Sequence, residues 1–299
     1  MLNYPKHILS LDDQVQTYID GGMAVSDVET VKKTLSEIGY YRLRGYSFHL
    51  YNKSTKKYKS GTTFDDVLNL YHFDEKLSAL ISAFTSKIEI ALRARFCEAM
   101  LTTNDPMAYL DATHANEKNN FWKNLSSVSS EIHRSKDAFI DHNYKNHDGL
   151  VPMWAAVEIM SFGTLSKYIK NLNSSQQIYK SLASHYAYVS SKGNSVVPSM
   201  DKLTSWIHAA VLLRNICAHN ARIFNRTFST KPSILDKDML SSPPKYCGLY
   251  EYMLAMKYIR PSDVSWNEFV LNFKNIVATH KITFAQLYFP SDWENHMVV

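Results

Sequence analysis

Helical periodicity predicts an all-α fold for this chain of 299 residues. Apolar residues recur at intervals of three and four along most of the sequence, whereas the strict alternation of a half-buried strand is nearly absent. Apolar residues make up 45% of the chain and aromatic residues 13%, which is enough to bury a sizeable core. Glycine and proline number only nine each, so no long flexible linker divides the helices.

The longest predicted helix runs from Phe64 to about Leu101. Its apolar residues follow the i, i+3, i+4, i+7 pattern of an amphipathic helix. They are Leu70, Phe73, Leu77, Leu80, Ile81, Phe84, Ile88, Ala91, Leu92 and Phe96. Thr63 and Asp66 have the spacing of a capping box at its start, and Asn104-Asp105-Pro106 stops it.

Shorter elements flank this helix. The run Tyr46–Tyr51 has a β-like pattern and predicts a small hairpin before Gly61. Pro152 opens an apolar helix that Gly163 interrupts, and a helix near 175–190 follows.

Two further stretches are polar or broken. Residues 116–149 are polar, which predicts a surface helix and loop. The break Ser241-Ser242-Pro243-Pro244 precedes a C-terminal helical segment.

The most informative element is predicted to begin near Ser199 and to run to about Phe228. As a helix, it places one polar stripe at positions i, i+4, i+7 and i+11, with Arg214 beside the stripe. The stripe consists of Asn215, His219, Arg222 and Arg226. The sequence thus predicts a surface on which an amide, an imidazole and guanidinium groups converge.

This combination of side chains suits a phosphodiester. Guanidinium binds phosphate oxygens with two parallel hydrogen bonds, and imidazole can move a proton near neutral pH. A metal site is disfavoured, because no second His or carboxylate lies at ligand spacing from His219. The sequence therefore predicts metal-independent RNA cleavage with neither a metal ion nor a cofactor. The alternative interpretation is a capped helix with a solvated polar face.

Charge is concentrated near the N-terminus. The whole chain has a net charge of +5, but residues 31–60 contain eight Lys or Arg against the single Glu37, a balance of +7. Aromatic residues alternate with these cations, and such segments neutralise phosphates and stack bases. The predicted RNA-binding residues are Arg42, Arg44, Lys56 and Lys57, together with Arg222 and Arg226 of the polar stripe. The alternative is a solvated basic face over tyrosines that pack in the core.

The cysteines and the hydropathy indicate a compartment. Three scattered cysteines, Cys97, Cys217 and Cys247, are typical of buried thiols in a reducing environment. No apolar run approaches the roughly 18 residues that a membrane-spanning helix needs. We therefore expect a cytoplasmic protein without a membrane partner.

Several separated segments together resemble the bacterial abortive-infection family of the AbiD/AbiF type. Their order and spacing cover roughly residues 35–226, which makes the resemblance more specific than any single motif. The segments are Ile38-Gly39-Tyr40-Tyr41-Arg42-Leu43-Arg44-Gly45-Tyr46, Gly61-Thr62-Thr63-Phe64, Leu70-Tyr71-His72-Phe73-Asp74-Glu75-Lys76-Leu77, Pro152-Met153-Trp154 with Glu158, Phe162-Gly163-Thr164-Leu165-Ser166, and Arg214-Asn215-Ile216-Cys217-Ala218-His219.

The resemblance implies a HEPN-like helical bundle and a ribonuclease with an Arg-polar-x-x-x-His motif. Arg214 and His219 would be catalytic, with Asn215 as the polar companion. The chain would then divide into an N-terminal basic and aromatic segment (1–60), a HEPN-like core (61–230) and a C-terminal helical extension (231–299). The chain departs from the family pattern at Asn220, where a second His is usual, and at Ile223 and Phe224, where a Leu-Trp pair is frequent.

In such a mechanism the ribose 2′-OH attacks the adjacent phosphorus, His219 transfers protons and Arg214 holds the non-bridging oxygens. On an ideal helix these two residues lie about 140° apart, so one copy of the motif gives a sparse site. A homodimer would bring two copies of the motif to one groove. The expected partners are therefore RNA and a second copy of the chain, in a role in phage defence or as a toxin.

Two other functions fit the same sequence. One is a non-catalytic RNA-binding module or scaffold that holds a small structured RNA, in which the basic segment matters more than His219. The other is a helical protein-interaction module whose polar stripe is merely solvated.

Overall fold

The computed structural model describes residues 7–240 and 246–299 of the chain. About 65% of the described residues are helical, which confirms the predicted all-α class. The helices are α1 (Leu11–Asp20), α2 (Val28–Ile38), α3 (Tyr40–Ser47), α4 (Phe64–Met100), α5 (Lys118–Arg134), α6 (Ala138–Asn146), α7 (Met153–Ile159), α8 (Phe162–Lys170), α9 (Gln177–Ser184), α10 (Met200–Ala218), α11 (Leu249–Tyr258), α12 (Asp263–Thr279) and α13 (Trp293–Met297). The strands are β1 (Tyr51–Asn52), β2 (Lys57–Tyr58), β3 (Tyr188–Val189) and β4 (Ser195–Val196), and they form two antiparallel pairs, β1 with β2 and β3 with β4.

Helix α4 is the central support of the fold. Its 37 residues extend roughly 55 Å. The predicted capping box is present, because the Thr63 side chain accepts the Asp66 N–H and the Asp66 carboxylate accepts the Thr63 N–H. Helices α3, α7, α9, α10 and α12 pack along α4 and bury its apolar stripe. The helix ends one residue before the predicted end and continues as a 3-10 turn up to Asn104, which has a positive φ.

Helix α10 runs through the core and emerges at its C-terminal end. Ser199 caps its first turn, as predicted, and its sides pack against α4, α8 and α11. The small, fully buried Ala209 and Ala210 let neighbouring helices approach closely. Arg214 is exposed, and so are the residues from Ala218 to Asn220, so the end of α10 presents polar groups to solvent.

The predicted hairpin at Tyr46–Tyr51 is only partly present. Tyr46 and Ser47 end α3 and a 3-10 turn follows, so only Tyr51 of the run joins a strand, where it pairs with Tyr58. Residue Tyr46 is helical rather than in a strand, and the helix directs its hydroxyl to the buried Asp74 carboxylate, 2.8 Å away. A strand through the same residues would alternate their side chains and lose that contact.

The apolar helix that follows Pro152 is interrupted, as predicted, but the interruption does not lie at Gly163. Helix α7 ends at Ile159, and Ser161 caps α8 by accepting the Thr164 N–H, which leaves Gly163 inside α8. Helix α9 covers only the middle of the predicted 175–190 segment, because the last residues of that segment belong to the β3–β4 hairpin.

One hydrophobic core connects the three predicted parts of the chain, from Val15 to Met297. The predicted break at Ser241–Pro244 lies outside the described residues. In the described ranges, no helix combines the length and the apolar character needed to cross a bilayer.

Candidate active site at the C-terminal end of helix α10

Helix α10 ends at Ala218, about ten residues before the predicted end at Phe228. Asn220 adopts a left-handed conformation with φ 50°, which Asn tolerates better than most residues. The Asn220 N–H donates to the Cys217 carbonyl and the Ala221 N–H donates to the Ile216 carbonyl, both at 2.9 Å. This pair of hydrogen bonds is the Schellman motif that terminates helices.

The predicted helical stripe is therefore wrong beyond His219. Asn215 lies in the last turn of α10 and His219 is its C-cap residue, but Arg222 and Arg226 follow in an irregular loop. The sequence contained a signal for this helix end, because an Asn after the last apolar position, here Asn220, often ends a helix. The regular spacing of polar residues concealed it. Asn220, which departs from the family pattern, thus has a clear structural role.

Arg214 and His219 are both exposed. The Arg214 guanidinium donates to the Asn215 side-chain oxygen at 3.3 Å, and the Asn215 carbonyl accepts the His219 N–H at 3.0 Å. In residues 7–240 and 246–299, no hydrogen bond orients the His219 imidazole. Because His219 keeps a near-helical backbone, its position is still about 140° around the axis from Arg214. Asn215 therefore contacts Arg214 rather than the imidazole.

The electrostatics at this end of α10 favour cations. A helix C-terminus carries partial negative charge from its free carbonyl groups, which attracts cations and repels phosphate. The Schellman hydrogen bonds satisfy only two of these carbonyl groups. A phosphate near His219 therefore needs guanidinium groups for its attraction. Within the same turn, burial raises the pKa of the Cys217 thiol, so it stays protonated near neutral pH and is a poor nucleophile.

Arg222 and Arg226 are half-buried and shape the loop after the helix. The Arg222 guanidinium donates to the Gly45 carbonyl and lies 6.0 Å from the centre of the Tyr46 ring. The Arg226 guanidinium donates to the Arg222 carbonyl at 3.2 Å and lies 5.9 Å from the Phe228 ring. Each guanidinium thus has an intramolecular partner that the sequence did not reveal.

Asp74 of α4 anchors this loop, and sequence reasoning missed it. Its buried carboxylate accepts the Phe224 N–H at 2.6 Å, the Ile223 N–H at 3.0 Å and the Tyr46 hydroxyl at 2.8 Å. Burial raises the pKa of Asp74, although these hydrogen bonds act in the opposite direction. A signal existed, because Asp74 lies four residues after Leu70 on the apolar stripe of α4, where a carboxylate needs buried partners.

The basic segment and the motif loop are in direct contact. The Arg42 guanidinium donates to the Asn220 carbonyl at 2.7 Å, across 178 residues of sequence, and lies 5.7 Å from the Tyr71 ring. Together with the Arg222 hydrogen bond to Gly45, this contact fastens α3 to the loop. The two regions that the sequence offered as separate candidates are therefore parts of one surface.

A polar groove lies beside this contact, with a volume of about 550 Å³. It runs between α2, α3, α4 and the end of α10. Its lining carries charges of both signs and includes Glu37, Arg42, Tyr71, Glu75, Ser78 and Asn220. In the two described ranges of the chain, no group of three or more His, Cys, Asp or Glu side chains is arranged to hold a metal ion.

The other predicted RNA-binding residues are exposed on α3 and the β1–β2 hairpin. Arg44 donates to the Tyr40 hydroxyl at 2.8 Å, which leaves its remaining N–H groups toward solvent. Lys56 lies at the tip of the hairpin, and the neighbouring Lys57 ammonium donates to the Asp20 carbonyl at 2.5 Å.

Comparison with known families gives one finding. The family model described as Abi-like protein matches residues 33–225, more than half of the chain. The matched range includes α3, Asp74 and the whole of α10 with its C-terminal motif. No match is found among curated proteins or among solved structures.

Proposed function

Since the chain belongs to the Abi-like protein family, which supports a role in phage defence by abortive infection, we propose that it is an RNA endonuclease that works without a metal ion. The observation that carries the proposal is the exposure of Arg214 and His219 at the end of a helix whose sides are largely buried. We further infer that α4 and α10 form the centre of a HEPN-like core.

The proposed chemistry needs two proton transfers. The ribose 2′-OH loses its proton as its oxygen bonds to phosphorus, and the departing 5′-oxygen gains a proton as its bond to phosphorus breaks. The products are a 2′,3′-cyclic phosphate and a 5′-OH. Arg214 would neutralise the non-bridging oxygens as charge develops on them, an effect worth roughly 3–4 kcal/mol in comparable sites. DNA lacks the nucleophile and is expected to resist.

Two copies of the chain would supply what one copy lacks. One imidazole per chain cannot face both the 2′-oxygen and the 5′-oxygen at once, whereas a two-fold axis presents two. The angle of about 140° between Arg214 and His219, and the lack of an orienting partner for the imidazole in the described residues, both support a composite site. We therefore propose a homodimer whose His219 and Arg214 act across the interface.

The decisive experiment is incubation of labelled RNA with the protein in EDTA, followed by analysis of the new ends. We expect cleavage to cyclic phosphate ends by the wild type and none by His219→Ala. His208→Ala is the matched control, because His208 is also exposed on α10, three turns away. Strict dependence on added divalent metal, or equal activity of His219→Ala, would overturn the proposal.

Complementation tests the composite site separately. Mixed dimers of His219→Ala and Arg214→Ala chains retain one His219 and one Arg214, on opposite subunits. Recovery of part of the activity on mixing supports catalysis across the interface. An active monomer in sedimentation argues for a site within one chain.

A non-catalytic RNA-binding module is the second candidate, and the contact between Arg42 and the Asn220 carbonyl favours it. This contact joins the segment of charge +7 to the motif loop. The joined surface could then bind RNA without any catalytic role for His219. Reversing the charge at Arg42, Arg44, Lys56 and Lys57 is then expected to abolish binding and its salt dependence. Tight binding with no cleavage products under any condition would select this function.

A further inference from the structure

The aromatic residues of the basic segment fall into two groups. Tyr46 is buried, and Tyr40 is half-buried with its ring 5.2 Å from that of Tyr18. Tyr51 and Tyr58 pack against each other at 5.0 Å across the hairpin. These rings serve the core, as the alternative interpretation of the sequence expected.

Tyr41 is different, because 90% of its surface is exposed. Gly39, with φ 93°, turns the chain between α2 and α3, so α3 begins with Tyr40 packed inward and Tyr41 directed to solvent. A single exposed aromatic residue is common on protein surfaces. The position of Tyr41 next to Arg42, whose guanidinium binds the carbonyl of the residue after His219, makes this one informative.

We propose that Tyr41 stacks on an unpaired base of an RNA strand whose backbone passes Arg42 on its way to His219. The proposal rests on the RNA-directed function above and names its substrate as single-stranded RNA. Stacking requires a free base face, and in a duplex both faces of an internal base are covered by its neighbours. A ring is also the appropriate group for this position if sequence preference is weak, because every base offers a π-face.

The charges around Tyr41 suit a phosphate backbone. Arg42 and Arg44 follow Tyr41 on α3, and both are exposed. Phe48, which is 53% exposed at the end of α3, already has the Lys53 ammonium 4.8 Å from its ring centre. Tyr41 is therefore the ring of this segment that is most open to a base.

The test uses the His219→Ala protein, so that RNA is bound but not cut. We would measure the Kd for a short single-stranded RNA that carries 2-aminopurine, and for a blunt duplex of the same length, at one fixed salt concentration. Addition of Tyr41→Ala is expected to weaken single-strand binding about 5- to 150-fold and to remove the quenching of 2-aminopurine. Tyr41→Phe keeps the ring and is expected to bind normally. Tyr144→Ala, the same change at an exposed tyrosine of α6, is the matched control.

The outcomes separate this proposal from the proposed nuclease activity. Unchanged single-strand affinity of the Tyr41→Ala protein, preferred binding of the duplex, or dissociation of a dimer by Tyr41→Ala would each overturn the stacking role. If Tyr41→Ala abolishes single-strand binding while the wild type cuts no RNA, the stacking role stands and the nuclease activity fails.

Discussion

Two buried aspartates, one behind the motif loop and one in the C-terminal extension, have different partners for their carboxylate groups. Asp74 and Asp238 are 3% and 4% exposed, and each accepts a tyrosine hydroxyl at 2.8 Å, from Tyr46 and Tyr258 respectively. Asp238 also has a cation, the Lys257 ammonium, 3.6 Å away. Asp74 instead accepts two backbone N–H groups of the loop that follows His219.

This difference has consequences for the site. A lysine beside a buried carboxylate compensates its charge, whereas backbone donors tie the carboxylate to the path of a particular loop. The extension therefore contains a buried ion pair, and the candidate site has a loop whose path is held by Asp74. Polar groups that are buried and paired support the fold, and the exposed Arg214 and His219 remain available to a ligand.

The largest expected effect on stability comes from breaking the ion pair of the extension. Asp238→Ala leaves the Lys257 ammonium buried without a carboxylate, although it still donates to the His296 carbonyl at 2.5 Å. We expect a loss of about 3–5 kcal/mol in the free energy of unfolding, measured by urea titration. Glu294→Ala is the matched control, because it removes the Lys274 partner of an exposed pair and is expected to cost about 0–1 kcal/mol. Similar losses for both variants would show that burial does not set the strength of these pairs.

The corresponding change at the site is Asp74→Ala. It leaves two buried N–H groups and the Tyr46 hydroxyl without their acceptor, so we expect a loss of roughly 1–3 kcal/mol of stability. RNA cleavage is expected to fall even at temperatures where the variant is fully folded, because the loop after His219 loses its anchor. Tyr46→Phe removes one donor only and serves as the milder comparison. Full cleavage by folded Asp74→Ala protein would deny Asp74 a positioning role.

The buried Asp74 carboxyl also makes the stability of the fold depend on pH. Because burial raises the pKa of Asp74 above its ordinary value of 3.8, the folded protein binds this proton more tightly than the unfolded chain. The stability from this group is fully present below 3.8 and is lost as the pH rises through the folded pKa. The unfolding free energy of the wild type minus that of Asp74→Asn should therefore increase as the pH falls from 7. A difference that shrinks on acidification would show that the hydrogen bonds outweigh burial.

The smallest expected effect concerns the end of α10. Asn220→Ala forces an ordinary residue into the left-handed region, at a cost of about 1–2 kcal/mol, whereas Asn220→Gly is expected to change stability by less than about 0.5 kcal/mol. Thermal unfolding of both variants checks the difference. Equal losses would mean that the Asn220 side chain, rather than its backbone conformation, matters at this position.

The C-terminal boundary of α10 shows where sequence reasoning succeeded and where it did not. The start at Ser199 and the exposure of the last turn follow from capping and periodicity, which are local. The end was predicted too late because Arg222 and Arg226 continue the helical spacing of Asn215 and His219. The Asp74 anchor lies 149 residues from Ile223, so its partners could not be identified from the spacing of residues on α4.

The sequence by itself determined the all-α class, the length and capping of α4, and the helical spacing of Arg214, Asn215 and His219. These features depend on hydrogen bonds and side-chain contacts within a few residues, which the order of amino acids specifies directly. Only the tertiary structure decided that Arg42 contacts the motif loop, that Asp74 anchors it, and that Tyr41 rather than Tyr46 faces solvent. Such contacts join residues far apart in the chain, and they exist only once the helices have packed around a common core.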